Sequence, residues 1–175
     1  NCEYCYYYNR VANVDHGRHM SHSCVERVIR ELLSFAGNAR IARFGWHGGE
    51  PLVAGLEFFK ECIRLQKRYA KPEQCIVNHI QTNGTLLNEE WADFFVENGF
   101  NVGVSLDGPS DMHDRYRKTH GGAGSWASAM RGIRLLHNKG IRFGAIVVVT
   151  RELGQRPDEV FDFLLANDMR SFDFA

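Results

Sequence analysis

The sequence predicts an α/β protein built on a parallel sheet, and three observations carry that expectation. Short strand-like runs alternate with amphipathic helical runs along the whole 175-residue chain, the order expected of successive βα units. Phe143 to Val149 (FGAIVVV) is nearly continuous in apolar residues, as a strand covered on both faces should be. Gly48-Gly49-Glu50-Pro51, Thr82-Asn83-Gly84 and Ser105-Leu106-Asp107-Gly108 each follow a strand-like run. They therefore gather on one rim, where parallel folds place their sites. A right-handed series of such units closes as a barrel or stays an open doubly wound sheet, and periodicity alone does not choose.

The elements follow in order. Asn9 to His22 is polar without an apolar period and reads as a loop. His16, His19 and His22 recur there at every third position, but no carboxylate or thiol completes a metal set, and they read as solvated. Ser23 with Glu26 is a capping-box signature for the first helix. Val25, Val28, Ile29, Leu32 and Leu33 form its apolar stripe, and Gly37-Asn38 ends it. Ile41 to Trp46 is a strand delivering His47 and the Gly-Gly-Glu-Pro turn, and Leu56, Phe59, Cys62, Ile63 and Leu65 place a helix running to about Tyr69.

Cys75 to Gln81 is the next strand, and Asn88 caps a helix with Glu89 and Glu90 at its positive end and Trp91, Phe94 and Phe95 facing the core. Asn101 to Leu106 is a strand, and a polar loop carrying His113, Asp114, Arg115 and Arg117 follows it. Ser125 caps a helix with Met130, Ile133, Leu135 and Leu136, stopped at Gly140. Pro157 opens a final helix with Asp158 and Glu159 in its first turn, and Phe172 to Ala175 begins one more strand.

Composition bounds the function. Apolar residues make up 44% and charged residues 24%, ordinary for a globular protein with a sizeable core. A formal net charge of zero implies no general attraction to nucleic acid or to an anionic membrane. No apolar run approaches a membrane span, and nothing at the start reads as a signal peptide. Five irregularly spaced cysteines do not suggest a disulfide framework. Cys24, Cys62 and Cys75 read as small buried hydrophobes. Cys2 and Cys5 differ, because they form a C-x-x-C pair followed by Tyr6, Tyr7 and Tyr8. That pair fits a zinc half-site, a redox dithiol or part of an iron–sulfur site.

The order of the blocks decides among these. The cysteine pair, WHGGEPL, NGTLL, SLDGP, the HD-x-x-R segment (His113, Asp114, Arg117) and a Gly-rich stretch before Ser125 together resemble the radical S-adenosylmethionine (SAM) enzymes. Within them the chain is similar to the SPASM-type branch, which holds radical SAM maturases of ribosomally made peptides and anaerobic sulfatase-maturating enzymes. The resemblance implies a partial (β/α)6 barrel, lacking strand one and truncated at strand six. It also implies that residues 1–175 are the radical SAM core domain of a longer protein. In the family motif C-x3-C-x2-C, Cys2 and Cys5 correspond to the second and third cysteines, and the first is expected upstream of residue 1.

The resemblance implies two cofactors, a 4Fe-4S cluster held by Cys2 and Cys5 with that further cysteine, and SAM on the open iron. It assigns Glu50, with Gly48 and Gly49 giving backbone access, to the SAM ammonium group. It places Ser105 and Arg117 against SAM and Tyr6 near the adenine, and a guanidinium such as Arg117 can grip a carboxylate with two hydrogen bonds. Gln81 and Asn83 stand as cofactor-side candidates from their strand-end location, and His47 faces either a ligand or the core. Asp107 reads as the Asp of an Asp-Gly turn.

The expected activity is reductive SAM cleavage to a 5′-deoxyadenosyl radical that abstracts hydrogen from a peptide or protein side chain. The WHGGEPLVAGLEFF wording favours side-chain crosslinking in peptide maturation, with formylglycine formation on sulfatases as the alternative. Implied partners are a peptide or protein substrate and a flavodoxin- or ferredoxin-like electron donor, with no nucleic acid and no membrane, in a reducing cytoplasm. A reading of another class, a non-catalytic zinc-binding module, rests on the C-x-x-C pair alone. The chain as it stands is also read as an inert fragment.

Overall fold

The computed structural model describes residues 2–5 and 20–175. Five strands form one sheet in the order β1-β2-β3-β4-β5, every neighbouring pair parallel. They are β1 (Ile41–Trp46), β2 (Cys75–Thr82), β3 (Asn101–Ser105), β4 (Phe143–Val147) and β5 (Phe172–Phe174). The helices are α1 (His22–Phe35), α2 (Leu56–Tyr69), α3 (Glu89–Glu97), α4 (Ser110–Tyr116), α5 (Trp126–Asn138) and α6 (Pro157–Ala166). Strict sequential order means that each right-handed crossover steps the same way, which is barrel winding. A doubly wound sheet reverses direction at a switch point.

Strand alternation divides the sheet into two faces. Ala42, Phe44, Ile80, Val102, Val104, Ala145 and Val147 are buried, and α2, α3, α5 and α6 cover that face with Phe59, Trp91, Phe95, Ile133, Leu136 and Leu164. Arg43, Gly45, His79, Gln81, Gly103, Ser105, Gly144 and Ile146 alternate with these residues and form the other face. An aromatic cluster anchors the packing, with Phe59 and Trp91 edge-to-face at 5.5 Å. One polar pair interrupts the apolar layer. The amides of Gln66 and Asn78 hydrogen-bond reciprocally at 2.9 Å, and Trp46 Nε1 donates to Asn78 at 2.9 Å, which satisfies groups that burial would otherwise penalise.

Most expected elements stand as read, and the departures have local causes. The first helix is capped by Ser21, whose hydroxyl accepts from Cys24 N, so Ser23 falls inside the first turn. His22 opens that helix, and its Nδ1 lies 3.0 Å from Glu61. Of its stripe only Val25, Ile29 and Leu33 are buried, while Val28 and Leu32 are exposed. Cys62 is buried as expected, but Cys24 and Cys75 are exposed. The segment expected as a polar loop contains α4, which buries Met112 and His113. Ser125 precedes α5 without capping it through its side chain, because Asp114 Oδ1 accepts from Trp126 N instead, at 2.7 Å.

Candidate functional site

The strand ends assemble one rim. After β1, Gly48 and Gly49 both take positive φ (89° and 57°), the region glycine adopts without steric cost. A Cβ built on Gly49 meets no atom within 4 Å, so the backbone there borders open space. Glu50 then folds back across the rim. Its carboxylate accepts from Leu52 N at 3.1 Å, Thr82 Oγ1 at 2.6 Å and Asn83 N at 2.8 Å, tying the end of β1 to the end of β2. Burial raises its pKa above the usual carboxylate range, and the three donors oppose that rise. A carboxylate offers about four acceptor positions, so Glu50 retains capacity for one more donor.

Gln81 and Ser105 meet on the face away from the helices. Gln81 Nε2 donates to Ser105 Oγ at 2.9 Å, and its side chain lies over Gly103, where a Cβ would come within 2.0 Å of the amide oxygen. Asn83 is turned to its own loop: Oδ1 accepts from Thr85 N and Thr85 Oγ1 at 2.9 and 2.7 Å.

Two residues beyond Ser105, Asp107 is the hub of a buried network. Its carboxylate receives Arg117 Nε at 2.7 Å and Nη2 at 3.0 Å, Val148 N at 2.9 Å, and the Tyr4 hydroxyl in a short bond. The Arg117 guanidinium lies 5.4 Å from the centre of the Tyr4 ring. Burial would lower the arginine pKa, but the hydrogen bonds and charge of Asp107 outweigh it and raise the value. The Tyr4 phenol is pushed upward by burial, with Asp107 adding to the rise.

Behind the ion pair sits His113. Asp107 N donates to its Nδ1 at 3.2 Å, which places the proton on Nε2 facing Ser125 Oγ at 3.0 Å. Ser125 in turn donates to Arg117 O at 2.8 Å. Burial and then the Arg117 charge lower the imidazole pKa to about 4.

Cys2 and Cys5 share one turn, closed by Cys5 N donating to Cys2 O at 3.1 Å. Both thiols are free and half-exposed. The turn is docked on this network: Cys2 forms an antiparallel bridge with Arg117, and Glu3 N donates to Tyr116 O at 2.9 Å. Among the described residues no three His, Cys, Asp or Glu side chains come together as a metal site. The donor set on the turn, two free thiols at C-x-x-C spacing, fits two ligands of a thiolate-held cluster.

Cys2, Cys5, Gly48, Gly49, Glu50 and Ser105 thus lie along one end of the sheet. Arg117 stands behind Asp107, with two of its nitrogens engaged by a protein carboxylate. Tyr6 lies outside the described residues. The network adds Tyr4 and His113, which carry no site motif of their own; the four-residue spacing of His113 and Arg117 is the signal that places them together once the segment is known to be helical.

The chain matches the family model for the radical SAM superfamily over residues 1–164. It is 41% identical over 177 residues to a serine-type anaerobic sulfatase-maturating enzyme of Bacteroides thetaiotaomicron, covering 99% of this chain and 42% of that protein. It is 33% identical to a cysteine-type anaerobic sulfatase-maturating enzyme of Clostridium novyi, covering 99% of this chain and 46% of that protein. A solved structure described as native anSMEcpe with bound AdoMet and Kp18Cys peptide superposes with a TM-score of 0.91 at 32% identity, covering 99% of this chain and 46% of that one. The chain therefore spans less than half the length of these relatives.

Proposed function

The chain belongs to the radical SAM superfamily, and from that premise we propose that it is the core domain of an anaerobic sulfatase-maturating enzyme. The observation that carries the reading is likeness along essentially the whole chain to maturases of both the serine and the cysteine type. This likeness favours sulfatase maturation over the side-chain crosslinking expected from the WHGGEPLVAGLEFF wording. Part of that stretch, Leu52 and Phe59, is buried core, so it speaks for packing more than for substrate. Identity is higher to the serine-type relative, 41% against 33%, which favours a serine substrate.

In this reading Cys2 and Cys5 hold two corners of the 4Fe-4S cluster. Glu50 offers its remaining acceptor position to the SAM ammonium group, and Gly48 and Gly49 let the backbone approach the ligand. Ser105, oriented by Gln81, faces SAM from the end of β3. When bound, cluster and SAM would supply the one-electron chemistry that removes a hydrogen atom from the substrate Cβ. The serine then loses its hydroxyl proton and one electron to become an aldehyde. That electron would offset the one spent on cleaving SAM, so SAM would be the net oxidant and the net change would be SAM and serine to methionine, 5′-deoxyadenosine, formylglycine and a proton. A flavodoxin- or ferredoxin-like donor supplies the priming electron, and the reducing cytoplasm suits such a site. No described helix is long and apolar enough to cross a membrane.

The test is conversion of a sulfatase-derived peptide by the full-length, anaerobically reconstituted protein, read by mass spectrometry. Loss of two hydrogens at the target serine supports the proposal. SAM cleavage without modification of either a serine or a cysteine peptide contradicts it.

A further inference from the structure

Asp107 joins the two halves of the proposed cofactor site. Its side chain is 2% exposed, and four donors fill its four acceptor positions, so it has no capacity left for a ligand. One set of those donors leads to the cysteine turn: the Tyr4 hydroxyl belongs to the residue between Cys2 and Cys5 in the chain, and Arg117 pairs with Cys2 through its backbone and with the Tyr4 ring through its guanidinium. The other side leads to the rim, since Asp107 follows Ser105 by two residues and holds Val148 N beyond the end of β4.

Replacing a buried ion pair by apolar groups of similar volume is often neutral for stability, whereas the bonds to Asp107 tie the cysteine turn, Arg117 and the end of β4 to one point. We propose that Tyr4, Asp107 and Arg117 are positioning residues that set the cysteine turn against the SAM-facing end of β3. Cluster and SAM then meet in register. His113 and Ser125 complete the device. The neutral imidazole holds the Asp107 backbone, and Ser125 fastens the Arg117 carbonyl next to its bridge with Cys2. This inference rests on the radical SAM reading above and adds to it a positioning role for the side chains of Tyr4, Asp107 and Arg117.

The test uses the full-length protein, reconstituted anaerobically, as wild type and as Tyr4→Phe, which keeps the ring against Arg117 and removes only the hydroxyl. Iron content, thermal midpoint, SAM affinity and the change SAM induces in the electron paramagnetic resonance signal of the reduced cluster are measured on both. The expected result is an unchanged midpoint in the apo protein with SAM affinity about 10–100-fold weaker and the SAM-induced spectral change diminished, the scale of outer-shell effects at metal sites. Loss of iron with the apo midpoint unchanged also supports the proposal, because it places the defect in the turn. A fall in apo midpoint that accounts for all other losses makes the network merely structural and overturns it. So does a variant indistinguishable from wild type in SAM affinity and spectrum. Asp107→Asn is the second variant, and it should reproduce the spectral change in stronger form; a wild-type spectrum there also overturns the proposal. A wild-type protein that takes up no cluster is a different outcome and removes the functional reading beneath.

Discussion

Acidification from pH 7 to pH 4 should destabilise this protein through His113 in an amount that can be worked out beforehand. The imidazole is 1% exposed and bonded on both nitrogens, and burial followed by the Arg117 charge lowers its pKa from 6.5 to about 4. Asp107 and Asp114 oppose that drop without cancelling it. As pH falls through 6.5 the unfolded chain takes up a proton at this position while the folded protein does not. Between those two values the unfolded state binds more protons, so stability falls as pH falls and is restored as pH rises. At about 1.4 kcal/mol per pH unit the loss amounts to about 3 kcal/mol, complete near pH 4.

Other groups titrate in the same range, so the measurement is a difference. Urea unfolding of wild type and His113→Asn, which keeps an acceptor for Asp107 N, is followed at pH 7, 6, 5 and 4. Wild type should be the more stable at pH 7, and its advantage should shrink by about 3 kcal/mol by pH 4. An advantage that stays constant across the range refutes the argument for a buried neutral imidazole.

Three further outcomes are expected. Gly132→Ala would bring a Cβ within 2.4 Å of the Gly84 carbonyl, backbone that cannot rotate away, and should cost about 1–3 kcal/mol in denaturant unfolding; unchanged stability contradicts the close approach of α5 to the Thr82–Gly84 turn. Gly103→Ala displaces only the flexible end of Gln81 and should cost about 1 kcal/mol or less, yet weaken SAM binding by calorimetry by freeing Ser105. Unaltered affinity removes the Gln81–Ser105 pair from the site. Cys2→Ala and Cys5→Ala should each lose the cluster absorbance of the reconstituted protein, and full absorbance in both variants sinks their assignment as ligands.

What could be read from the sequence follows from which interactions are local. The bounds of α2 were legible because Leu56, Phe59, Cys62, Ile63 and Leu65 repeat at helical spacing over a long segment. The Gly-Gly-Glu-Pro turn was legible because two consecutive glycines with positive φ leave a mark in composition. α4 was not, because the side it buries carries Met112 and His113 and leads into Arg117, and a count of apolar periods passes over polar groups. His113 and Arg117 both bond to Asp107, which lies outside the helix and before its start. The resemblance sets Arg117 against a ligand carboxylate, and the fold engages two of its nitrogens with a protein carboxylate in a two-point geometry. The role of Tyr4 is not legible in sequence because its partner is 103 residues away, and the run Tyr6 to Tyr8 is the more visible aromatic signal. Val28 and Leu32 share a stripe with Val25 and Ile29, yet α1 turns only part of that stripe toward α2 and β1.

We propose that this rim and cysteine turn, in the whole protein, cleave SAM in order to oxidise a sulfatase side chain. The most direct measurement is 5′-deoxyadenosine released and aldehyde formed, counted together in the full-length, reduced, cluster-loaded protein with a sulfatase-derived serine peptide. The account predicts release that depends on the peptide and matches aldehyde formation one for one. Peptide-independent release with no aldehyde, from a protein shown to hold its cluster, would contradict it.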